Sequence, residues 1–271
     1  MELELEQAKL YFETQGDKSN PPLVLWHGAG CTLRMWDYVV EELKKDFFTI
    51  AFDIRGSGSS VNLDTNTNSF SFERYSQDLN NILDYLSIER AHMWSMAWGT
   101  RAAIAYSSLF SNKVISAVFS DASIGEADVE EQKLGLKRAL EKQVESGIDR
   151  YPLPKDWNVH LNKESAASSL GAAAKFDLSS ALDGISFPFL VMTGDHDPNL
   201  SSSKDIANSS STGQLRILKN VGHGSILQRP DLTLNNFLDW HTQNKNCLLY
   251  TSPSHETKAN LVCRLLLEKK K

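Results

Sequence analysis

The sequence of 271 residues has few cysteines, no long apolar run and no excess of basic residues. Its three cysteines, Cys31, Cys247 and Cys263, are too few and too scattered for a disulfide framework or a metal site. No apolar run approaches the roughly 18 residues of a membrane span. Residues 1–6 are acidic and lack the basic and apolar regions of a signal peptide. These absences predict a soluble protein in the reducing cytoplasm.

Basic residues are outnumbered, with 28 Lys and Arg against 34 Asp and Glu and a net charge of −6. Nucleic acids and anionic membranes favour a basic face, so neither is expected as a partner. Gly28, Gly30 and Gly58 do not form a dinucleotide fingerprint, and no clustered His, Cys and Glu set has metal-ligand spacing. We therefore expect no cofactor and no metal, and a small neutral or hydrophobic molecule as substrate or ligand.

The chain does contain a regular alternation of strand and helix patterns. Continuous apolar runs are typical of strands buried on both faces, and they occur at 23–26, 47–54, 91–96, 114–119 and 187–192. Helical spacing separates most of these runs. Repeated strand–helix–strand units predict the α/β class, with a mostly parallel central sheet and helices on both faces.

The alternation breaks between residues 125 and 182. Charged helical residues at 130–145 precede an alanine- and serine-rich stretch at 166–174. We interpret 125–182 as a small helical cap inserted into a core made of 1–124 and 183–245. An ordinary pair of peripheral helices is the alternative.

The last helical pattern covers 230–242, and no element requires residues 246–271. The segment Tyr250–His255 is loop-like, and the chain closes on three leucines, a glutamate and three lysines. We predict that 246–271 is a tail outside the fold, either a flexible extension or sequence foreign to the domain.

The stretch 93–101 joins an apolar strand to a helix across a tight turn. This is where a nucleophile elbow belongs, with the pattern Gly-x-Ser-x-Gly on a sharp bend. Laid over that pattern, the nucleophile position falls on Ala97, the first glycine becomes Ser95, and Gly99 is retained. A methyl group therefore stands where the nucleophilic hydroxyl is expected.

Polar or glycine-rich turns follow the other expected strands, at 27–30, 53–60, 194–197 and 222–223. Each such turn occurs widely by itself. Their order and spacing together resemble the α/β-hydrolase family from about residue 8 to residue 245. Loops at the carboxyl ends of parallel strands share one edge of a sheet, so Ala97, Asp197 and His223 are expected to converge there. The order nucleophile, acid, histidine is also the one this fold uses.

The resemblance implies a role for each residue of this set. His223 would be the general base, and Asp197 would hold its tautomer and stabilise the imidazolium. Asp195 is the alternative acid, but the Gly-x-x-Asp spacing of the family selects Asp197. The backbone N–H groups of Ala29 and Trp98 would form the oxyanion hole, and they survive a change of side chain at position 97.

For most other residues near these turns we expect structural roles. Trp157, in the predicted cap, is expected to contact substrate as part of a lid. His27 is expected to bond within its own loop, and Asp53 and Arg55 are expected to form an ion pair that fixes theirs. Most of the remaining large side chains near the turns are expected in the core, namely Trp26, Trp36, Trp94 and Met96.

The alanine at position 97 leaves three hypotheses. The first is a parent serine hydrolase of small esters, lactones or C–C bonds in which a Ser→Ala change has removed the nucleophile. The second is a binding protein that senses a small molecule. The third is serine-independent chemistry by a His223–Asp197 dyad. Neither Ser95, which precedes the bend, nor Cys31, which has no obvious base beside it, is expected to replace the missing serine.

Overall fold

The computed structural model describes residues 1–64 and 69–249. Nine strands lie within these residues: β1 (Glu2–Leu5), β2 (Ala8–Gln15), β3 (Pro22–Trp26), β4 (Phe48–Phe52), β5 (Val61–Asn62), β6 (Ala91–Met96), β7 (Val114–Ser120), β8 (Phe189–Gly194) and β9 (Gly213–Leu218). They form one sheet in the order β1-β2-β4-β3-β6-β7-β8-β9, with β5 paired to β2. The neighbouring strands in the part β4-β3-β6-β7-β8-β9 are all parallel. Strand β2 pairs antiparallel with β4, and β1 pairs antiparallel with β2, at one edge of the sheet.

The helices within the described residues cover both faces of this sheet. They are α1 (Asp37–Leu43), α2 (Phe72–Tyr85), α3 (Trp98–Leu109), α4 (Val129–Glu145), α5 (Lys163–Ser169), α6 (Leu178–Asp183), α7 (Leu200–Asn208), α8 (Ser225–Gln228) and α9 (Pro230–Leu249). Short 3-10 helices span Leu33–Trp36, Ser111–Lys113 and Leu170–Lys175. One apolar cluster contains residues of α2, α3 and α6, and a second contains residues of α1 and α9. The predicted α/β class with a mostly parallel sheet is confirmed.

The central strands are mainly apolar along their length because both of their faces are covered. Every residue of β6 is buried, because β3 and β7 flank it in the sheet and helices cover it above and below. Strand β1, which the sequence prediction omits, has a different pattern. Exposed Glu2 and Glu4 alternate with half-buried Leu3 and Leu5, as expected for an edge strand with one face in solvent.

The predicted ion pair between Asp53 and Arg55 is wrong. Arg55 instead donates from Nε to Asp78 Oδ2 over 2.8 Å and from Nη2 to Asp78 Oδ1 over 2.6 Å, and both side chains are buried. The Asp53 carboxylate accepts the backbone N–H groups of Leu33 and Ser59, each at 2.8 Å. The two side chains fix different parts of the fold, because one binds helix α2 and the other binds backbone.

The buried pair of Arg55 and Asp78 is expected to matter greatly for stability. Asp78→Ala leaves the guanidinium buried without a counter-ion, which lowers the free energy of unfolding by about 3–5 kcal/mol. Urea denaturation measures this loss. Glu42→Ala removes an exposed pair with Lys45 and is the control, with a loss below about 1 kcal/mol. Similar losses in the two variants would contradict the expectation.

Residues 125–182 lie between β7 and β8 and include α4, α5 and most of α6. Helix α4 packs closely on the turns after β8 and β9, since a Cβ atom at Gly135 would lie 2.0 Å from the carbonyl oxygen of His196. Helix α6 belongs to the apolar cluster that contains α2 and α3. The segment is therefore joined to the core at both of its ends.

A third junction joins the middle of this segment to the core. Thr32 donates its backbone N–H to the carbonyl oxygen of Trp157 over 2.7 Å, and Leu161 donates to that of Gly58 over 2.9 Å. The His160 ring accepts the Gly58 N–H at Nδ1, 2.8 Å away, with Nε2 3.2 Å from the carbonyl oxygen of Gly30. These bonds hold the segment over the turns after β3 and β4.

The C-terminal helix is longer than predicted. Helix α9 continues to Leu249, beyond the predicted helix end at 242 and the predicted start of the tail at 246. Residues 250–271 lie outside the described residues. Across the helices that are described, none combines the length and apolarity needed to cross a membrane.

Candidate active site

The turn between β6 and α3 presents Ala97 at the carboxyl edge of the sheet. Its backbone has φ of 52° and ψ of −115°, a conformation that costs a non-glycine residue about 1–3 kcal/mol. The neighbouring chain allows little space, since a Cβ at Gly99 would lie 2.3 Å from the carbonyl oxygen of His27. A Cβ at Gly28 would lie 2.6 Å from Met96 Cε, so the Met96 side chain would have to move. The bend thus has the strained geometry of an elbow although residue 97 has no hydroxyl.

His223 follows β9 and contacts the carboxylate of Asp197. The Nδ1 atom of the imidazole lies 3.1 Å and 3.3 Å from the two carboxylate oxygens. The Asp197 side chain is fully buried, and it accepts the Asn199 N–H over 2.9 Å and the Thr193 hydroxyl over 3.4 Å. With Nδ1 directed at a fixed carboxylate, Nε2 is the ring nitrogen left for chemistry.

Burial and charge act on His223 in opposite directions. Burial lowers the pKa of the imidazole, but the hydrogen bond to Asp197 and the negative charges of Asp121 and Asp197 outweigh it, so the pKa is raised above its ordinary value. This arrangement stabilises an imidazolium, the form a general base takes once it has accepted a proton.

The alternative acid, Asp195, binds elsewhere. Its Oδ1 accepts the backbone N–H of Val221 over 3.2 Å and lies 3.8 Å from His196 Nε2. The structure therefore brings Asp197, and not Asp195, to the Nδ1 atom of His223.

Ala29 and Trp98 border the same cavity as Ala97 and His223. Trp98 is the first residue of α3, where backbone N–H groups have no acceptor within the helix. Among the described residues, none accepts a hydrogen bond from the amide of Ala29 or Trp98. Two backbone donors are thus available beside position 97.

The cavity has a volume of about 640 Å³ and lies between the sheet edge and residues 127–157. Its wall is mainly apolar, with Leu136, Leu140, Leu153 and Trp157 contributed by the predicted cap. Trp157 therefore lies where the sequence places a substrate contact. An apolar wall with a few polar groups is the usual form of a small-molecule site.

Neither alternative nucleophile is placed for reaction. Ser95 is fully buried, with Oγ 3.2 Å from Thr100 Oγ1 and donating to the carbonyl oxygen of Val118 over 3.3 Å, and it does not line the cavity. Cys31 lines the cavity, but burial raises the pKa of its thiol to about 12, so the reactive thiolate does not form at neutral pH.

Asp121 is a site residue that the sequence analysis missed. It directly follows β7 at the carboxyl edge, with φ of 53°, and its Oδ2 accepts the N–H groups of Gly224 over 3.0 Å and Ser225 over 2.7 Å. It thus fixes the turn that contains His223. The available signal was an acidic residue immediately after an apolar strand, at the sheet edge where Asp197 and His223 also lie, three residues after β8 and five residues after β9.

Asp121, Asp197 and His223 each bring a possible ligand atom to within 4.8 Å of one another. Hydrogen bonds already account for this proximity, because Nδ1 of His223 is directed at Asp197 and Oδ2 of Asp121 accepts two backbone amides. We assign no metal to the cluster.

The carboxyl group of Asp121 is expected to make stability depend on pH. Burial and the nearby charge of Asp197 raise its pKa to about 7, against about 3.9 in an unfolded chain. Between these values the folded state keeps a proton that the unfolded state has lost, so this group makes the free energy of unfolding fall as pH rises.

Asp121→Asn removes that titration while keeping an oxygen that can accept the two amides. Relative to the parent chain, the variant should gain stability as pH rises from about 4.5 to about 7, measured by urea denaturation at several pH values. Asp205→Asn, at an exposed position on α7, serves as the control and should show no such trend. A difference between Asp121→Asn and the parent that is constant with pH would refute this account.

An elbow, a His–Asp pair and two free backbone amides at the carboxyl edge of a parallel sheet define an α/β hydrolase. The model of the alpha/beta hydrolase fold family matches residues 21–254. The protein belongs to this family, and it is a hydrolase by resemblance.

Its relatives act on small molecules. It is 27% identical over 215 residues to 3-oxoadipate enol-lactonase 2 of Acinetobacter baylyi, covering 72% of this chain and 79% of that protein. It is 24% identical to the (E)-2-((N-methylformamido)methylene)succinate hydrolase of the same organism, covering 85% and 93%. Among solved structures, the enol-lactonase of Burkholderia xenovorans superposes with a TM-score of 0.72 at 21% identity, covering 89% of this chain and 100% of that one, which shows the shared fold.

Proposed function

We propose that this site hydrolyses a small ester or lactone through an acyl-enzyme when residue 97 is serine, and that the present chain, with Ala97, retains the rest of the machinery. The observation that carries the proposal is the bend at Ala97, which keeps an elbow conformation between an available His223 Nε2 and two free amides. The enol-lactonase relatives support the reaction class.

In the serine form, the hydroxyl at position 97 adds to the substrate carbonyl and transfers its proton to His223 Nε2. The N–H groups of Ala29 and Trp98 bind the oxyanion that results, and Asp197 stabilises the imidazolium. His223 then protonates the leaving oxygen, and a water deprotonated by His223 cleaves the acyl-enzyme. His223 returns the proton taken from that water to the serine oxygen as the acid leaves, which restores the free hydroxyl.

With alanine at position 97 the first bond cannot form, since no atom there can attack the carbonyl. We therefore infer that this chain binds substrate in the cavity and does not turn it over as a serine hydrolase. The second candidate, a small-molecule binding protein, is supported by the same alanine together with the cavity of about 640 Å³.

Labelling with a fluorophosphonate, which phosphonylates activated serines, tests the proposal. We expect Ala97→Ser to be labelled at position 97 and the original chain to remain unlabelled, as read by mass spectrometry of the peptide. If Ala97→Ser stays unlabelled, the binding function is the better account. If the original chain hydrolyses esters and loses this activity with His223→Ala, serine-independent chemistry is established and the proposal is wrong.

A further inference from the structure

The charges at the cavity differ in sign from those of the protein as a whole. The chain carries a net charge of −6. Among the described residues that line the cavity there is no aspartate or glutamate, whereas Arg101 and Arg150 both line it. An apolar cleft with charges of one sign concentrates the field and attracts ligands of the opposite sign.

Arg101 lies on α3, four residues after Ala97, and is held by the protein. Its Nε donates to the carbonyl oxygen of Ser123 over 2.9 Å, and its Nη2 donates to that of Gly125. Both partners are neutral; burial lowers the pKa of the guanidinium, and the nearby charge of Glu126 acts in the opposite direction. Arg101 thus places a fixed cation beside the reaction centre.

Arg150 follows α4 and is exposed. Within the described ranges no protein group forms an ion pair or hydrogen bond with its guanidinium. It borders the catalytic cavity and also a second depression on the surface of α4, whose charged lining residues are Lys133, Lys137, Glu141 and Glu145 besides Arg150. Arg150 therefore lies where the cavity meets the surface of the cap, with its donors unused.

We propose that the cavity takes an ester or lactone that also carries a carboxylate, and that Arg150 binds this carboxylate. The planar guanidinium can pair with both oxygens of a carboxylate through two parallel charge-assisted hydrogen bonds. The scissile carbonyl would then lie at Ala97 with the carboxylate toward the cap. This replaces the neutral or hydrophobic substrate expected from composition, because net charge does not describe the charge inside one cavity.

The inference rests on the proposed hydrolytic function, and two substrates that differ only in charge test it. The acid is p-nitrophenyl hydrogen glutarate, and its neutral counterpart is p-nitrophenyl methyl glutarate. In Ala97→Ser, we expect Arg150→Gln to lower the ratio of kcat/KM for the acid to that for the neutral ester by about 10- to 100-fold. Arg138→Gln is the matched control, because it removes the same charge from exposed α4 surface that lines neither cavity.

Binding to the original Ala97 chain separates this inference from the hydrolytic function, because it needs no nucleophile. Isothermal titration should show methyl hydrogen glutarate binding more tightly than dimethyl glutarate, with the preference lost in Arg150→Gln and kept in Arg138→Gln. If Ala97→Ser hydrolyses both esters without an Arg150-dependent preference, the carboxylate site is refuted while the function stands. If Ala97→Ser is inactive but the binding preference depends on Arg150, the function fails and the carboxylate site stands. Equal losses in Arg138→Gln and Arg150→Gln would also refute the site, since they would reflect overall charge.

Discussion

Ala97→Ser is expected to raise kcat/KM for short p-nitrophenyl esters and lactones by about 10⁴- to 10⁶-fold over the original chain. Loss of the serine in a triad costs on the order of 10⁶ in kcat, so its restoration should recover much of that factor where the other groups are placed. Here the bend is already strained, the His223 ring is fixed by Asp197, and the amides of Ala29 and Trp98 are free.

Steady-state assays of both chains at neutral pH measure this gain, and two further variants show its origin. His223→Ala in the Ala97→Ser chain should abolish the gain, because the hydroxyl then has no base. Ser95→Ala in the same chain should leave it unchanged, since Ser95 is buried away from the cavity. A gain below about tenfold, with the variant folded, would show that the triad geometry is lost.

Asp197→Asn in the Ala97→Ser chain is expected to lower kcat by about 10⁴-fold. The amide in place of the carboxylate favours the wrong tautomer of the histidine and removes the charge that stabilises the imidazolium. The thermal midpoint should change little by comparison, because the oxygen of the amide can still accept the Asn199 N–H. The pH–rate profile should lose the plateau that His223 gives at neutral pH.

Asp195→Asn is the matched control for this prediction. Asp195 stands two residues earlier and accepts the N–H of Val221, so its amide variant should retain kcat within a few fold. If Asp195→Asn is the more harmful change, the assignment of the acid is wrong. If Asp121→Asn is as harmful to kcat as Asp197→Asn, the two carboxyl groups near His223 act together.

The central strands could be predicted because their burial on both faces is visible in the sequence as an apolar run. Strands β3 and β6 are apolar throughout, since both faces are covered, and a continuous apolar run reveals that environment. Strand β1 was missed because its four residues alternate at an exposed edge, where the signal is short. In the predicted cap, the helical stretches at 130–145 and 166–174 were predicted, whereas α6 was not, and the sequence does not reveal that α6 packs with the core.

The partners of individual side chains could not be predicted in the same way. Arg55 and Asp53 are adjacent in one turn, yet the first binds Asp78 on α2 and the second binds backbone. Sequence proximity favours a pair, but side chains of a tight turn point in different directions. The role of Asp121 could not be predicted for a related reason. The amides of Gly224 and Ser225, which it accepts, lie about a hundred residues further along the sequence.

By itself the sequence determined the α/β class and the family resemblance, and it predicted Ala97 as the position of the nucleophile. Those features depend on apolar periodicity and on short turns of fixed spacing, which are local properties of the chain. The tertiary structure decided which acid contacts His223 and that Asp121 fixes the same turn. It also decided that two arginines, and no carboxylate of the described residues, line one cavity. These are contacts between distant segments, and their distances and charges exist only after the sheet has brought the ends of its strands to one edge.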